Sequence, residues 1–256
     1  MSNETSKSTV KRLIWDCETS PNVVFSWRVG YNLNLDHNNI IKERKIICIG
    51  YKWQGEPTVT VLRWDKNQDD KAMLKQFLEV ANQADELVAH YGNHFDMPWF
   101  RTRCIIHGFD PIPIYKTVDT KDLASKYFLF NSNKLDYVSK VLGFGGKIKT
   151  DFDLWIRVVL GKEEAALNDM CEYCGVDVVR LEQVYDRISG FVRTKSHAGV
   201  MAGGQKWQCA HCGSDLVYRD KRRVTALGTI QHQMRCRKCH AYYTISDRSY
   251  NEFLGR

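Results

Sequence analysis

In the stretch Ile14-Trp15-Asp16-Cys17-Glu18-Thr19, apolar and acidic side chains alternate from Trp15 to Glu18. Such alternation predicts a β-strand, in which residues two positions apart point to the same face. Asp16 and Glu18 therefore lie side by side. Two adjacent carboxylates resist ionising together, and a divalent cation between them would remove the conflict. An edge strand whose acidic side chains face water would show the same alternation, so the pair alone leaves both interpretations open.

The chain has 256 residues, enough for one sizeable core and a smaller appended module. With 43% hydrophobic and 26% charged residues, its composition is that of a soluble globular protein. No apolar run approaches the length of a membrane span. Residues 1–10 are polar and lack the apolar segment of a secretory signal. These features predict a cytoplasmic protein without a membrane partner, in which residues 1–10 are disordered.

Basic charge is concentrated in the last quarter of the chain. Residues 191–256 hold 12 Lys and Arg against 4 Asp and Glu, a net charge of +8, whereas the whole chain has a net charge of +7. The first 190 residues are therefore nearly neutral. A small basic module on a nearly neutral body indicates a polyanionic partner, with nucleic acid as the first candidate.

Patterns of hydrophobicity divide residues 11–190 into strands and helices. Strand-like runs occupy residues 11–17, 23–29, 45–53, 58–64 and 86–90. Helical patterns cover residues 69–84, 95–107, two pieces between 118 and 142, 153–160 and 163–188. An initial run of strands followed by alternating helix and strand predicts an α/β domain with a mixed sheet flanked by helices.

Two further aspartates stand where a carboxylate could serve a site. Asp96 follows the strand at 86–90 and begins the next helix, where it could be a helix N-cap or part of a site at the strand end. Asp177 shares an otherwise apolar helix face with Tyr173, four residues earlier. A buried carboxylate needs a partner, and either a basic side chain or a bound metal ion would serve.

Taken in chain order, these residues resemble the three motifs of the DEDD 3′–5′ exonucleases, which have a ribonuclease H-like fold and include the proofreading domains of DNA polymerases. The motifs are Asp16-x-Glu18, the segment His90–Asp96 with its final aspartate, and Tyr173-x3-Asp177. The tyrosine is similar to that of the DEDDy branch. The resemblance covers residues 11–190 and is closest to stand-alone exonucleases of bacteriophage type, for which the location would be the host cytoplasm.

One position departs from that family. Relatives often have asparagine after the motif histidine, where it helps to position the substrate or the neighbouring aspartate, whereas this chain has Tyr91. Segments 118–120 and 132–137 also look like parts of these relatives, with a structural role. All four carboxylates and the tyrosine of the motifs are present, so the resemblance implies a catalytically competent enzyme.

The resemblance also implies a role for each motif residue. Asp16, Glu18 and Asp177 would hold a Mg²⁺ or Mn²⁺ ion that activates water, with Asp16 bridging to a second such ion. Asp96 would act through the water shell of the second ion, and Tyr173 would orient the nucleophilic water. Two ions of this kind stabilise both the attacking and the leaving oxygen of a phosphodiester.

A linker over residues 191–205 is predicted to lead into a separate module at residues 206–256. Cys209-x2-Cys212 and Cys236-x2-Cys239 lie there with 23 residues between them, a spacing typical of a tetrahedral zinc site. Strands predicted at 216–218 and 231–235 make this module a small β zinc ribbon whose folding would depend on one structural Zn²⁺. Ligation by His211 or His240, and disulfide bonds, are the alternatives.

The other five cysteines are predicted to be reduced core residues: Cys17, Cys48, Cys104, Cys171 and Cys174.

Cations and aromatic side chains accompany the four clustered cysteines. They are Lys221, Arg222, Arg223, Arg235, Arg237 and Lys238, together with Trp207, Tyr242 and Tyr243. Cations that contact phosphates and rings that stack on bases suit single-stranded nucleic acid. A basic face exposed to solvent, or a docking surface for a protein, would have the same composition.

The sequence therefore predicts a metal-dependent 3′–5′ exonuclease with a ribonuclease H-like α/β domain and a C-terminal zinc ribbon. The favoured substrate is the 3′ end of single-stranded DNA. Because the chain has no polymerase segment, any proofreading would occur in trans to a DNA polymerase or another replication protein. Two alternatives stay open. One is a 3′–5′ exoribonuclease, and the other is a catalytically inactive protein whose ribbon binds nucleic acid or a polymerase.

Overall fold

The computed structural model describes residues 10–146 and 150–255 of the chain. The disorder predicted for residues 1–10 concerns residues outside that part, apart from Val10. In the part that is described, no helix is long and apolar enough to cross a membrane. The described residues form a larger α/β body and a smaller C-terminal module.

A five-stranded mixed sheet forms the centre of the α/β body. The strands of the body are β1 (Arg12–Thr19), β2 (Val23–Val24), β3 (Ile40–Lys42), β4 (Ile46–Trp53), β5 (Thr60–Arg63), β6 (Glu86–Ala89) and β7 (Thr117–Asp119). The order in the sheet is β5-β4-β1-β6-β7, while β2 and β3 form a separate antiparallel pair. The central strand β1 pairs antiparallel with β4 and parallel with β6. The mixed sheet predicted from the sequence is thus confirmed, with the addition of β7.

Among the described residues of the body, six α-helices flank the sheet. They are α1 (Lys71–Ala81), α2 (Asp96–Ile106), α3 (Thr120–Tyr127), α4 (Leu135–Val141), α5 (Phe152–Ile156) and α6 (Glu164–Ser189). The helix expected over 153–160 is divided, because α5 continues into a π-helical turn at Arg157–Gly161. Each of the other helical patterns corresponds to a helix of the structure within a few residues.

The two faces of β1 are buried by different helices. Leu13, Trp15 and Cys17 point into a core that contains residues of α1 and α2, where the Trp15 ring lies 4.8 Å from the ring of Phe77. Ile14, on the opposite face, packs in a core with residues of α4 and α6. Because side chains alternate along a strand, Asp16 and Glu18 point to the same side as Ile14, toward α6.

Gly50 allows α6 to lie very close to the sheet. Gly50 of β4 is paired with Asp16 of β1. A Cβ atom at Gly50 would lie 3.0 Å from both Cys174 Sγ and Val178 Cγ2 of α6, a separation tighter than ordinary van der Waals contact. A larger residue would therefore displace the helix at the point where it crosses the acidic part of β1.

Buried ion pairs hold the opposite end of the same layers. Arg12 Nε donates to Glu86 Oε2 at 2.6 Å, joining β1 to β6. Lys52 of β4 pairs with Glu182 of α6. All four side chains are buried, so removal of one partner would leave an uncompensated charge in a site of low polarity. The Lys52–Glu182 pair fixes α6 along the sheet, in addition to the apolar core.

The C-terminal module contains a three-stranded antiparallel sheet in the order β10-β9-β8, formed by β8 (Val217–Val224), β9 (Ile230–Cys236) and β10 (Tyr242–Ser246). Two strands were expected, and β10 is an addition. The predicted linker 191–205 contains the short helix α7 (Ala198–Met201), and the chain continues after β10 into α8 (Asp247–Phe253). Arg12 Nη2 donates to the His211 carbonyl at 3.3 Å, so the module contacts the start of β1.

We expect Gly50→Ala to destabilise the protein by about 1–3 kcal/mol, the usual cost of adding atoms to a well-packed core. The matched control is Gly190→Ala, because a Cβ atom there meets only the Cys239 carbonyl oxygen at 3.9 Å. Urea unfolding followed by tryptophan fluorescence measures the difference. Equal midpoints for the two variants would show that α6 does not depend on the missing side chain.

Candidate functional site

Three carboxylates converge where α6 crosses β1. Asp16 and Glu18 come from β1, and Asp177 comes from α6; a carboxylate oxygen from each lies within 4.8 Å of those of the other two. Asp177 is buried, and the two strand residues are half-buried. The strand period places the first two on one face, and the close crossing at Gly50 brings the third to them.

The donor set of this group fits a divalent metal ion. Carboxylates at this separation repel each other when ionised, and a cation relieves that repulsion. All the donor atoms are oxygen, the ligand type preferred by Mg²⁺ and Mn²⁺. Asp16, Glu18 and Asp177 are therefore residues that could hold such an ion.

Asp96 lies beside this group but outside it. Its Oδ1 atom accepts a hydrogen bond of 2.9 Å from the backbone N–H of Cys17, the residue between Asp16 and Glu18. Asp96 begins α2 without being its N-cap, which is Phe95. Burial raises the pKa of Asp96 to about 6, whereas a cation nearby would favour its ionised form. The N-cap interpretation is therefore wrong, and the carboxylate instead supports the backbone of β1.

Tyr173 lies one helical turn before Asp177 on α6 and is buried. Its ring meets the Trp155 ring edge-on, with centroids 6.5 Å apart. Trp155 Nε1 in turn donates to the Thr19 carbonyl at the end of β1, at 3.1 Å. Trp155 thus links the tyrosine to the acidic strand. The sequence analysis missed it, because a tryptophan in an apolar pattern signals only packing.

The end of β1 is also held by Arg44, which the sequence analysis did not single out. Arg44 Nη2 donates to Thr19 Oγ1 at 2.7 Å, and its Nε donates to the Ser20 carbonyl at 3.1 Å. The guanidinium carbon lies 4.5 Å from the centroid of the Trp99 ring on α2. A cation stacked on an aromatic ring adds attraction beyond the hydrogen bonds. Arg44 therefore fixes the chain directly after the acidic residues.

Asp119 organises the loop of the second motif. Its carboxylate accepts hydrogen bonds from the backbone N–H of Tyr91 at 2.9 Å and of Asn93 at 3.1 Å. The same carboxylate caps α3 by accepting from Lys121 N. His90 Nδ1 and Nε2 lie 2.9 Å from Thr120 Oγ1 and the Asn133 carbonyl, respectively. A residue N-terminal to a helical pattern signals a cap, but this second use of Asp119 has no signal in the sequence.

Tyr91, the residue that departs from the family pattern, occupies a left-handed conformation with φ of 68°. Its ring stacks on the His94 ring, with centroids 5.0 Å apart. Lys121 Nζ lies 3.5 Å from the centroid of the Tyr91 ring, a cation–π contact. The next residue, Gly92, has no room for a side chain, because a Cβ atom would lie 2.3 Å from Ala89 Cβ. The loop is therefore tightly constrained despite the tyrosine.

The thiol of Cys174 lies directly beside the acidic group. Cys174 Sγ is 3.6 Å from the Asp16 carbonyl oxygen and 4.0 Å from Asp16 Oδ2. Hydrogen bonding with Cys48 lowers the pKa of Cys174, but burial and the carboxylates of Asp16 and Glu18 raise it. The net effect raises the pKa of Cys174 to about 12. Cys174 is therefore a neutral thiol at neutral pH. Its burial agrees with the prediction of a core cysteine.

The four clustered cysteines of the C-terminal module have their sulfur atoms together. They are Cys209, Cys212, Cys236 and Cys239, with Sγ–Sγ distances of 3.6 Å for the pair 209–239 and 3.7 Å for the pair 212–236. Tetrahedral Zn–S bonds of about 2.3 Å place sulfur atoms about 3.7 Å apart. The arrangement fits one Zn²⁺.

The basic residues of this module fall into two groups. Lys221, Arg222 and Arg223 are exposed on β8, and Lys238 is exposed beside the second cysteine pair. The other two arginines lie over tyrosine rings, Arg235 over Tyr242 at 5.1 Å and Arg237 over Tyr218 at 4.8 Å. Trp207 packs against Phe253 with ring centroids 5.4 Å apart, so its indole contributes to the core of the module.

Comparison with known proteins identifies the type of domain. A family model for the RNase H superfamily matches residues 37–189. The structure is similar to that of the family B DNA polymerase from the hyperthermophilic archaeon Pyrobaculum calidifontis, with a TM-score of 0.55, 14% sequence identity and coverage of 72% of this chain. The match spans only 25% of the polymerase chain, and at this identity it concerns the fold alone. No curated protein sequence matches the chain.

We expect Asp119→Ala to loosen the loop of the second motif, because two backbone N–H groups lose their acceptor. Each unsatisfied buried donor costs about 1–3 kcal/mol. Asp110→Ala is the matched control, since it removes the same charge from an exposed position outside this loop and leaves those donors bonded. Amide hydrogen exchange of residues 90–95 should become faster only in Asp119→Ala. Unchanged exchange there would contradict the organising role.

Proposed function

The chain belongs to the RNase H superfamily, whose model matches residues 37–189, and on that premise we propose that it is a metal-dependent 3′–5′ exonuclease. The mixed five-stranded sheet agrees with the ribonuclease H-like α/β fold expected from the sequence. The observation that carries the proposal is the group formed by Asp16, Glu18 and Asp177. The 3′–5′ direction and the DEDDy assignment rest on the order of the motifs and on Tyr173.

In the proposed reaction, each acidic residue has a defined task. Asp16, Glu18 and Asp177 would hold one divalent ion, and Asp16 would also help to hold a second. Asp96 would assist with the second ion, while its carboxylate accepts a hydrogen bond from the Cys17 backbone. Two Mg²⁺ or Mn²⁺ ions, when bound, supply electrostatic stabilisation of the attacking and leaving oxygens of the phosphodiester.

Tyr173 orients the water molecule that attacks the phosphate. Tyr173 contributes by positioning, because a water molecule that is held in line with the phosphate reacts faster even when Tyr173 takes no proton from it. The edge-on contact with Trp155 keeps the ring from turning away.

The C-terminal module is proposed to be a zinc ribbon that holds the substrate. Cys209, Cys212, Cys236 and Cys239 would ligate one structural Zn²⁺, which supplies folding free energy to a module too small for a large core. The exposed cations of β8 suit phosphate contacts. We propose single-stranded DNA as the substrate, with RNA as the alternative. A DNA polymerase or another replication protein in the cytoplasm is the proposed partner for any proofreading.

We expect Asp177→Asn and Asp16→Ala to reduce hydrolysis at least about a thousandfold, because loss of a group that stabilises the transition state costs about 4 kcal/mol. Asp186→Asn is the matched control, as it removes an exposed carboxylate from the same helix α6. The assay follows 3′- and 5′-labelled single-stranded DNA and RNA with Mg²⁺ or Mn²⁺, with EDTA as a second control.

A metal-dependent ladder that shortens from the 3′ end, and that is lost in Asp177→Asn, would support the exonuclease and identify its sugar. Wild-type rates in both acidic variants would contradict the assignment. Binding of the oligonucleotides without degradation by the wild-type protein would instead favour an inactive binding protein that uses the ribbon.

For the ribbon, we expect one Zn²⁺ per chain in the purified protein and its loss in Cys212→Ser. Cys171→Ser, which changes a cysteine outside the four-sulfur group, should keep the ion. Elemental analysis measures the metal, and near-ultraviolet circular dichroism reports the packing of Trp207 and Tyr243. A zinc content of zero in the wild-type protein, or an unchanged content in Cys212→Ser, would overturn the zinc proposal.

A further inference from the structure

Residues 25–36 follow β2 and precede the short helix before β3, and we name this segment the aromatic arm. The proposed reaction does not use it. Apolar residues occupy every second position of the arm: Phe25, Trp27, Val29, Tyr31, Leu33 and Leu35. All six are exposed, and three of them almost completely, with Trp27 at 94%, Val29 at 98% and Tyr31 at 101%.

Such strict alternation is typical of a strand with one buried face, yet the arm buries neither face. The strand expected over 23–29 pairs only at Val23 and Val24, opposite β3. Beyond it, in the part of the chain that the structure describes, the rings of Phe25 and Trp27 contact each other with centroids 6.1 Å apart. Large exposed apolar side chains concentrated in one short segment are typical of a binding surface.

The arm is joined through residues 20–24 to the end of β1, the strand that carries Asp16 and Glu18. It begins six residues after Thr19, and Arg44 ties the chain after β3 to Thr19 and Ser20. Arg44 N also donates to Asn22 Oδ1 at 3.1 Å, at the base of the arm. The far end is closed by a capping box between Asp36 and Asn39. Hydrogen bonds therefore hold both ends of the arm, while its aromatic residues are exposed.

The chemistry of the arm and its base favours a nucleic-acid strand over a protein. Three of the six apolar side chains are aromatic, and Arg28 lies between two of them. At the base, the lining of a cleft of about 400 Å³ includes three lysines and one acidic residue, namely Lys42, Lys45, Lys162 and Glu43. Rings that stack on bases, together with cations that contact phosphates, are the features that bind single strands without sequence preference.

We propose that the aromatic arm stacks on bases of the single strand whose 3′ end lies at Asp16, Glu18 and Asp177. The lysine-lined cleft at its base contacts the backbone of the same strand. This inference rests on the proposed exonuclease function and adds the element that selects unpaired strands, because the rings of Trp27 and Tyr31 require a base whose face is free.

The test measures binding of fluorescein-labelled oligo(dT) and oligo(rU) by fluorescence anisotropy, with every variant made in the Asp16→Ala background so that the probe is not degraded. We expect Trp27→Ala and Tyr31→Ala each to weaken binding about tenfold, the usual cost of losing one stacked base. Trp27→Phe should retain most of the affinity, whereas Trp27→Leu, which keeps an apolar side chain without a ring face, should not. Leu33→Ala is the non-aromatic control and should bind as the parent does.

A second measurement separates this proposal from the exonuclease function. Thymidine 5′-(p-nitrophenyl phosphate) has one base and cannot reach from the acidic group along the arm. In a chain with intact Asp16, its hydrolysis should be unchanged by Trp27→Ala, while the KM for oligo(dT) rises about tenfold. If the wild-type protein hydrolyses neither compound, the exonuclease function fails, and the anisotropy result still decides the role of the arm.

Unchanged affinity for both probes in Trp27→Ala and Tyr31→Ala would overturn the proposal. So would an equal loss in Leu33→Ala, because that result indicates a general apolar contact instead of base stacking. The mass in solution, measured by light scattering, provides the remaining outcome. A dimer that Trp27→Ala converts to a monomer, with unchanged affinity for the probes, would assign the arm to a second copy of the chain.

Discussion

The close contact between α6 and the sheet at Gly50 is the constraint on which the acidic site depends. Asp177 lies about 160 residues after Asp16 in the chain, and only a helix that almost touches the β4 backbone brings its carboxylate to β1. A Cβ atom at Gly50 would lie 3.0 Å from two side chains of α6. The missing side chain of a single residue thus sets the spacing between three acidic groups that repel one another. Buried ion pairs such as Lys52–Glu182 hold the same helix at its other end.

Periodicity predicted much of the site, because the relevant residues lie within regular elements. The alternation of β1 placed Asp16 and Glu18 on one face, and the helical spacing placed Tyr173 and Asp177 together; the structure shows both arrangements. Their convergence depends on packing between distant elements, which a single sequence does not encode as a pattern. The motif order supplied that step through resemblance. Contacts such as Asp119 with the Tyr91 backbone could not be anticipated, because an N-cap residue shows no sign of a second set of donors.

The fold shows where periodicity fails and why. Strand β7 has three residues, too few for an alternating pattern to be recognised. The apolar alternation that begins at Val23 predicted a strand to Val29, but strand pairing ends at Val24. Alternation shows that one face of a strand could be buried, but it does not show whether another part of the protein covers that face. In the C-terminal module, β10 and α8 were missed, because elements of five and seven residues are too short for their period to be recognised.

The contact between Arg12 and the His211 carbonyl has a consequence for length. Residue Arg12 starts β1 and Glu18 lies near its end, so about 20 Å of extended strand separates the contact with the C-terminal module from the acidic group, at about 3.3 Å per residue. A stacked single strand advances about 3.4 Å per nucleotide. An oligonucleotide whose bases stay stacked would therefore need about six nucleotides to extend from one to the other. A shorter stacked ligand would contact only one end of β1 at a time, whereas a longer one would contact both ends.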